Sequence, residues 1–230
     1  MVKRFFVTGT DTEIGKTFVT CGLLVALRDR GINAAPMKPI AAGTIEQDGV
    51  SANEDVHALI ATYGKPLRAS LVNPYCFREP VAPHIAATHE HRVVDFAAIQ
   101  TAYSALSRSH DTVLVEGAGG FLVPLSATES MSILPARLEL DVILIVGMRL
   151  GCLNHALLTA EAITARGLRL VGWVANTVDT NMSCFAENVA TLMAALRAPC
   201  LGIVPRLPPS APPASAKVAA TFLNVAPLID

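Results

Sequence analysis

Charged residues are scarce in this chain of 230 residues: they make up 16% of it, and the formal net charge is −1. Because positive and negative charges nearly cancel, there is no electrostatic reason to expect nucleic acid or an anionic membrane as a partner. Apolar residues make up 52%, which is enough for a large buried core and excludes disorder over most of the length.

Long apolar runs are also missing, although the mean hydropathy is positive. No window approaches the roughly 18 uninterrupted apolar residues of a membrane-spanning helix. The apolar stretch near the N-terminus, residues 5–7, is far shorter than the core of a signal peptide. We therefore expect a cytoplasmic protein.

Paired cysteines are absent as well. The cysteines stand at irregular spacing without a C-x-x-C pair, at Cys21, Cys76, Cys152, Cys184 and Cys200. An odd number at such spacing argues against both a disulfide framework and a zinc site. We predict buried, reduced, structural thiols.

The chain does have a regular alternation of short apolar, β-branched runs with helical patterns. Strands are predicted at residues 5–8, 34–38, 112–115, 142–146, 170–174 and 201–204, and helices beginning near Lys16, Ala52, Asp95, Asn154 and Ser183. This alternation predicts one α/β domain over residues 1–230, with a mostly parallel central sheet and helices on both faces.

The most specific motif follows the first predicted strand and opens the first helix. Residues 9–17 read GTDTEIGKT, and in such a loop the backbone N–H groups surround phosphates. Lys16 would neutralise phosphate oxygens, and the Thr17 hydroxyl would bind Mg²⁺. Thr10 stands where the first glycine is usual, and a carboxylate at Glu13 is unusual beside a triphosphate. We interpret the segment as a P-loop of the NTPase type rather than as an incidental glycine turn.

Carboxylates that suit a magnesium ion follow further along the chain. Glu116 ends the apolar run 112–115 and precedes a glycine-rich turn, the layout of a Walker B element with Glu in place of the commoner Asp. Mg²⁺ prefers oxygen ligands and few protein carboxylates, so Thr17 and Glu116 suffice together with phosphate oxygens and water. Asp55 is a further candidate ligand, although from the sequence alone a residue of this kind is more often a solvated carboxylate at a helix start.

A lysine and a proline-rich segment add two positions beside the predicted nucleotide. Lys38 ends the second predicted strand, where ligands bind in open α/β sheets; the alternative is a lysine that caps the strand in solvent. Residues 205–213 carry five prolines, which predicts a loop over residues 205–216. That loop is either a plain linker or a border of the nucleotide site.

With these motifs the sequence resembles the dethiobiotin synthetase family. The resemblance rests on residues 9–17, 38–43, 72–75, 83–85, 115–120, 150–156 and 172–176, and covers about residues 1–207. It implies a homodimeric enzyme that uses ATP and Mg²⁺ to close the ureido ring of dethiobiotin from 7,8-diaminononanoate and CO₂. In the family, an amine adds CO₂ to give a carbamate, ATP phosphorylates the carbamate, and the second amine displaces phosphate.

The resemblance also implies roles for individual positions. Lys16 and Lys38 would be catalytic, at the carbamate and the transferred phosphoryl group, and Thr17, Asp55 and Glu116 would hold Mg²⁺. The implied nucleotide contacts, with Asn176 at the adenine, are Glu13, Ile14, Gly15, Lys16, Thr17, Phe18, Glu116, Gly117, Ala118, Gly119, Asn176, Thr177, Pro205, Arg206 and Leu207. The implied diamine contacts, the last three of them toward the partner subunit's substrate carboxylate, are Thr12, Lys38, Ala42, Gly151, Cys152 and Asn154.

Three positions depart from the family pattern. Ala42 stands where the family commonly has a serine that contacts substrate. Asn188 stands where a tyrosine usually reaches the partner's substrate. No acidic residue follows Pro205, Arg206 and Leu207, where one often meets the ribose.

Two other functional classes remain as alternatives. A regulatory ATPase switch of the partition or septum-positioning type would carry a signature lysine five residues before Lys16, but that position is Asp11, of opposite charge. A small-molecule kinase would be expected to have a lid with clustered arginines, and none is obvious.

Overall fold

The computed structural model describes residues 4–47, 50–208 and 211–229. The strands are β1 Phe5–Gly9, β2 Ala34–Met37, β3 Ile40–Ala42, β4 Ile45–Gln47, β5 Val50–Ala52, β6 Tyr75–Phe77, β7 Thr112–Gly120, β8 Asp141–Met148, β9 Leu170–Thr177 and β10 Cys200–Val204. The helices are α1 Lys16–Asp29, α2 Glu54–Tyr63, α3 Ala69–Val72, α4 Pro83–His89, α5 Phe96–Ser107, α6 Ile133–Leu138, α7 Cys152–Thr164, α8 Phe185–Ala195, α9 Ala214–Ala220 and α10 Ala226–Ile229.

The central sheet contains the strands that the apolar runs predicted. Within the described residues it has six strands in the order β10-β9-β8-β1-β7-β2, and every neighbouring pair is parallel. The predicted α/β class with a mostly parallel sheet is thus confirmed. Two small two-stranded sheets, β3-β6 and β4-β5, were not predicted because three-residue strands leave no periodic pattern in the sequence.

Helices cover both faces of the sheet, which explains why its strands are apolar on both sides. In β1, Phe5 and Val7 belong to the core beneath α1, whereas Phe6 lies in the core on the opposite face beneath α5 and α6. A third cluster, around the fully buried Trp173, packs β8 and β9 against α7 and α8. Within the described ranges, no helix is both long and apolar enough to span a membrane.

Some predicted boundaries were wrong. Glu116 lies inside β7, which continues through the predicted glycine-rich turn to Gly120. The glycines make this possible: Gly120 pairs with Gly9, and a Cβ at Gly117 would lie 2.8 Å from the ring of Phe6. α7 begins at Cys152 rather than near Asn154.

The proline-rich segment also differs from the prediction. Residues 214–216, the last part of the predicted loop, form the first turn of α9, which packs against α1 through contacts near Gly22. Alanines follow the prolines there, so the helix starts where the prolines end. Residues 209 and 210 of the predicted loop lie outside the described residues.

The cysteines in the described residues are free. Cys21 and Cys152 are buried as predicted, whereas Cys184 is exposed, so the prediction of a buried thiol was wrong there. Cys184 immediately precedes α8 and takes a left-handed conformation (φ 52°) that turns the chain into the helix.

Candidate active site

The loop between β1 and α1 is shaped by two left-handed residues, Glu13 (φ 56°) and Gly15 (φ 80°). A side chain at Gly15 would also overlap the amide of Asn176, whose Nδ2 donates a 2.7 Å hydrogen bond to the carbonyl oxygen of Ile14. Gly15 therefore combines a backbone conformation and a close approach that favour glycine. The amide at the end of β9 holds the loop in the conformation that presents the N-terminus of α1.

Lys16 lies beneath this loop and is almost completely buried. Its Nζ donates a 2.7 Å hydrogen bond to the carbonyl oxygen of Asp11. Burial lowers the pKa of Lys16 to about 8, against the opposing effect of the Glu116 carboxylate. The ammonium is thus held within the loop and partly desolvated, ready for an anion to replace the carbonyl.

A cluster of four side chains lies next to Lys16. Lys38 Nζ is 2.7 Å from Oε1 of Glu116 and 3.0 Å from Oδ2 of Asp55. Thr17 Oγ1 donates a 2.6 Å hydrogen bond to the same Glu116 oxygen. These residues come from α1, the end of β2, the first turn of α2 and β7, so the parallel sheet brings together positions as much as 99 residues apart.

Burial decides between the alternative interpretations of Lys38. Its side chain is 4% exposed and that of Glu116 is fully buried, so Lys38 does not cap the strand in solvent. Burial alone would lower the pKa of Lys38, but the carboxylates of Glu116 and Asp55 hold it above its ordinary value. For Asp55, burial would raise the pKa, and Lys38 outweighs that effect and lowers it. Each of these two shifts favours the charged form, so Lys38 and Asp55 form an ion pair at neutral pH.

The backbone on both sides of this cluster is fixed by local contacts. The Lys38 N–H donates to the Val72 carbonyl at 2.8 Å, and the Asn73 side chain donates to the Lys38 carbonyl at 2.6 Å. The side-chain oxygen of Asn53 caps α2 by accepting hydrogen bonds from its first turn, which sets the direction of Asp55. Asp55 is 44% exposed, so it reaches from the cluster to solvent.

The cluster has the ligands that a magnesium ion prefers. Oε2 of Glu116 is buried without a hydrogen-bond partner, an unsatisfied acceptor beside the Thr17 hydroxyl and the Asp55 carboxylate. A small cation with oxygen ligands would satisfy it. In the described part of the chain, no group of three or more His, Cys, Asp or Glu residues suits a metal ion, so a metal here would combine these two carboxylates with the hydroxyl, phosphate oxygens and water.

A cavity of about 250 Å³ adjoins the loop on the side of β9 and β10. Eight positions implied as nucleotide contacts line it together, namely Glu13, Gly15, Phe18, Asn176, Thr177, Pro205, Arg206 and Leu207. Ser215 lines it too, a position the sequence did not indicate because the residue falls in a segment predicted as loop. A neighbouring cavity of about 470 Å³ shares Phe18 and Ser215 and extends to Thr17 and Asp55.

The other predicted positions lie around this centre. Gly119 lies close to Thr12 of the phosphate loop, and a Cβ at Gly119 would be 3.5 Å from the threonine hydroxyl. Gly117 and Ala118 continue β7 beyond Glu116. Ala42 ends β3, and its carbonyl accepts a 3.4 Å hydrogen bond from Asn53.

The start of α7 and the middle of α8 line neither of these two cavities. Gly151 is left-handed and precedes α7, Cys152 is buried, and Asn154 is exposed. Asn188 lies in α8 and donates to the Cys184 carbonyl at 2.7 Å. Within one chain, these residues are not assembled with Lys38.

Comparisons with known proteins agree with this geometry. A family model described as an AAA domain matches residues 3–214. The chain is 47% identical over 228 residues to the ATP-dependent dethiobiotin synthetase BioD of Cellvibrio japonicus, covering 99% of this chain and 98% of that protein. A ParA family ATPase from Chlorobium tepidum has a similar fold, with a TM-score of 0.53, 12% identity and coverage of 99% and 94%. The MinD cell division protein of Aquifex aeolicus has a TM-score of 0.52, 14% identity and coverage of 90% and 83%. The last two likenesses concern the fold alone.

The pKa of Lys16 leads to a pH dependence of nucleotide binding. Lysine loses its proton as pH rises, so the free protein loses this cation above its pKa of about 8. We expect the affinity for MgATP to be constant below about pH 8 and to fall roughly tenfold per pH unit above it. Calorimetric titration across this range measures the effect, with Lys16→Gln as the control, which should bind weakly without the same slope. A wild-type affinity that stays flat through pH 9 would contradict the assignment.

Proposed function

The chain belongs to the AAA-domain family and, within it, to the ATP-dependent dethiobiotin synthetases, and we propose that the cluster around Lys38 and the phosphate loop carry out its reaction. The protein is an ATP-dependent ligase of biotin biosynthesis. The single observation that carries the assignment of residues is the buried arrangement of Lys38, Glu116 and Thr17 beside Lys16.

The proposed reaction has three steps. One amine of 7,8-diaminononanoate attacks CO₂, forming an N–C bond and, after loss of a proton, a carbamate. A carbamate oxygen attacks the γ-phosphorus of ATP and the bond to the β-phosphate oxygen breaks, giving a carbamic-phosphoric anhydride and ADP. The second amine attacks the carbonyl carbon and loses a proton, and phosphate leaves with the bonding electrons of the C–O bond, which closes the ureido ring.

Each lysine has a distinct place in this scheme. Lys16, held by the loop carbonyl of Asp11 at 2.7 Å, would exchange that carbonyl for phosphate oxygens. Lys38 has three N–H donors, two of which contact Glu116 and Asp55. Its remaining donor is the group we assign to the carbamate oxygen and to the negative charge that spreads toward the phosphoryl group.

The remaining contacts are assigned by position. Thr17, Asp55 and Glu116 would hold Mg²⁺, which supplies charge neutralisation for the phosphates. The cavity lined by Asn176, Thr177 and residues 205–207 would take the adenine and ribose. Because Asn176 already donates one amide hydrogen to Ile14, it retains one N–H and its carbonyl oxygen for the base.

We also propose a homodimer with an active site completed by the start of α7. Leu150 is 94% exposed, and Leu157 and Leu158 of α7 are exposed too, so an apolar surface surrounds Gly151 and Asn154. A second copy of the chain would bury this surface and bring Asn154 to the carboxylate of the diamine bound in the partner's site.

The first experiment tests the reaction itself. ATP turnover, followed as phosphate release, should require 7,8-diaminononanoate, bicarbonate and Mg²⁺ together, because no acceptor for the phosphoryl group exists until the carbamate forms. Leaving out one component at a time provides the controls. Turnover independent of the diamine would favour the partition-type ATPase, and a stable phosphorylated product without free phosphate would favour a kinase.

A second experiment separates the two lysines. Lys38→Leu should bind MgATP nearly normally yet turn over about a hundredfold more slowly or worse, because one preorganised charge at the transition state is lost. Lys38→Gln should be almost as slow, since it keeps a donor but no charge. Lys16→Ala should lose both affinity and rate. The proposed division of roles between the lysines would be overturned if Lys38→Leu lost as much nucleotide affinity as Lys16→Ala while still melting cooperatively.

A third experiment tests the shared site. A heterodimer of Lys16→Ala and Asn154→Ala chains contains one site with both changes and one site with neither. Coexpressed mixtures should therefore recover about a quarter of the wild-type activity, since about half of the dimers are mixed and each has one intact site. The two parent variants, mixed without subunit exchange, are the control. A mixture no more active than its parents would contradict the shared site.

A further inference from the structure

Asp11 is a carboxylate within the phosphate loop, and its charge opposes the binding of phosphates. Its carboxylate accepts a 2.7 Å hydrogen bond from the N–H of Thr12, and its carbonyl oxygen accepts the ammonium of Lys16 at 2.7 Å. Asp11 thus fixes both the path of the loop and the resting position of the lysine. Without a partner cation, the same side chain would repel a triphosphate.

The partner cation is Arg149, which is 138 positions away in sequence. Its guanidinium forms an ion pair with the Asp11 carboxylate. Arg149 follows β8 directly, and its carbonyl oxygen accepts a 3.0 Å hydrogen bond from the Cys152 N–H at the start of α7. The arginine therefore lies between the phosphate loop and the segment assigned to the partner's diamine.

Other contacts hold the first half of the loop against the same strand. The Thr10 N–H donates to the Ile145 carbonyl at 3.0 Å, and the Gly147 N–H donates to the Thr10 hydroxyl at 3.4 Å. These contacts keep the backbone beside β8 without the ion pair. What the ion pair adds is neutralisation of the Asp11 charge. The side chains of Asp11 and Arg149 are each a little under half exposed.

We propose that Arg149 is a positioning residue for nucleotide binding, which acts by neutralising and orienting Asp11 in the phosphate loop. The proposal rests on the function proposed above, in that the loop is taken to bind the triphosphate. It differs from a direct phosphate contact, because the guanidinium acts through Asp11. It also differs from a purely structural role, because the charge of Asp11 is what makes the arginine necessary.

The test is a double-mutant cycle read by calorimetric titration with MgATP. Arg149→Gln leaves Asp11 unneutralised and should weaken binding about three- to fivefold, the scale of a partly exposed ion pair. The double variant Asp11→Asn with Arg149→Gln should bind within about twofold of wild type, since no uncompensated charge remains. Arg149→Lys should also restore most of the affinity, because it keeps the charge.

Ionic strength provides a second readout that a structural role would not change. The loss in Arg149→Gln should shrink as KCl is raised, because salt screens the exposed Asp11 charge. Arg169→Gln is the matched control: Arg169 pairs with Asp141 at the opposite edge of the sheet, and its removal should leave MgATP affinity unchanged.

The outcomes are distinct. A double variant as weak as Arg149→Gln would overturn the proposal in favour of a direct contact of Arg149 with phosphate. An Arg149→Gln protein with wild-type affinity, or with a loss that salt does not change, would overturn it as well. Wild-type protein that does not bind MgATP would instead overturn the proposed function, which the titration detects without any turnover.

Discussion

The site is organised by one costly feature, a glutamate buried in the middle of a parallel sheet. Glu116 lies on β7 with a fully buried side chain. Removing the partner of such a charge typically costs about 3–5 kcal/mol, so the fold must supply a cation and hydrogen-bond donors at that point. Lys38 and Thr17 supply them on one oxygen, and the other oxygen is left without a protein partner. The buried carboxylate therefore holds two elements in place and keeps an acceptor for a bound cation.

The parallel topology makes this arrangement possible. β1, β7 and β2 are neighbours, so the residues that follow β1 and β2 meet Glu116 at the same edge of the sheet. Antiparallel strands would place alternate connections at opposite edges. The end of β1 also needs a residue without a side chain, because a Cβ at Gly9 would lie 2.8 Å from Ile14 and 3.0 Å from the side chain of Lys16. The glycine that ends β1 thus lets the phosphate loop and the side chain of Lys16 pack closely against the strand.

Sequence patterns with a local cause predicted the fold well. Apolar runs predicted the strands of the central sheet, and the Gly-Lys-Thr segment predicted the start of α1, because both depend on neighbouring residues. The association of Lys38 with Glu116 was not predictable from spacing, since 78 positions separate them and the pairing depends on strand order. Ser215 was missed because its helix follows prolines that indicated a loop. The ion pair of Asp11 with Arg149 joins surface residues with no pattern between them, so only the folded chain brings it to light.

The placement of positive charge argues against the regulatory switch that the sequence left as an alternative. A regulatory switch of the partition type would have a lysine at the position of Asp11, and that cation would add to Lys16 near the phosphates. Here the position holds a carboxylate, and the nearby cation Arg149 is paired with it. The second lysine of the site, Lys38, comes instead from the end of β2. Lys38 is buried next to the phosphate loop and paired with the carboxylates of Glu116 and Asp55, a location consistent with its proposed role at the substrate oxygen that receives the phosphoryl group. In the proposed reaction this second lysine serves a bound acceptor, which a ligase requires and a nucleotide-dependent switch does not.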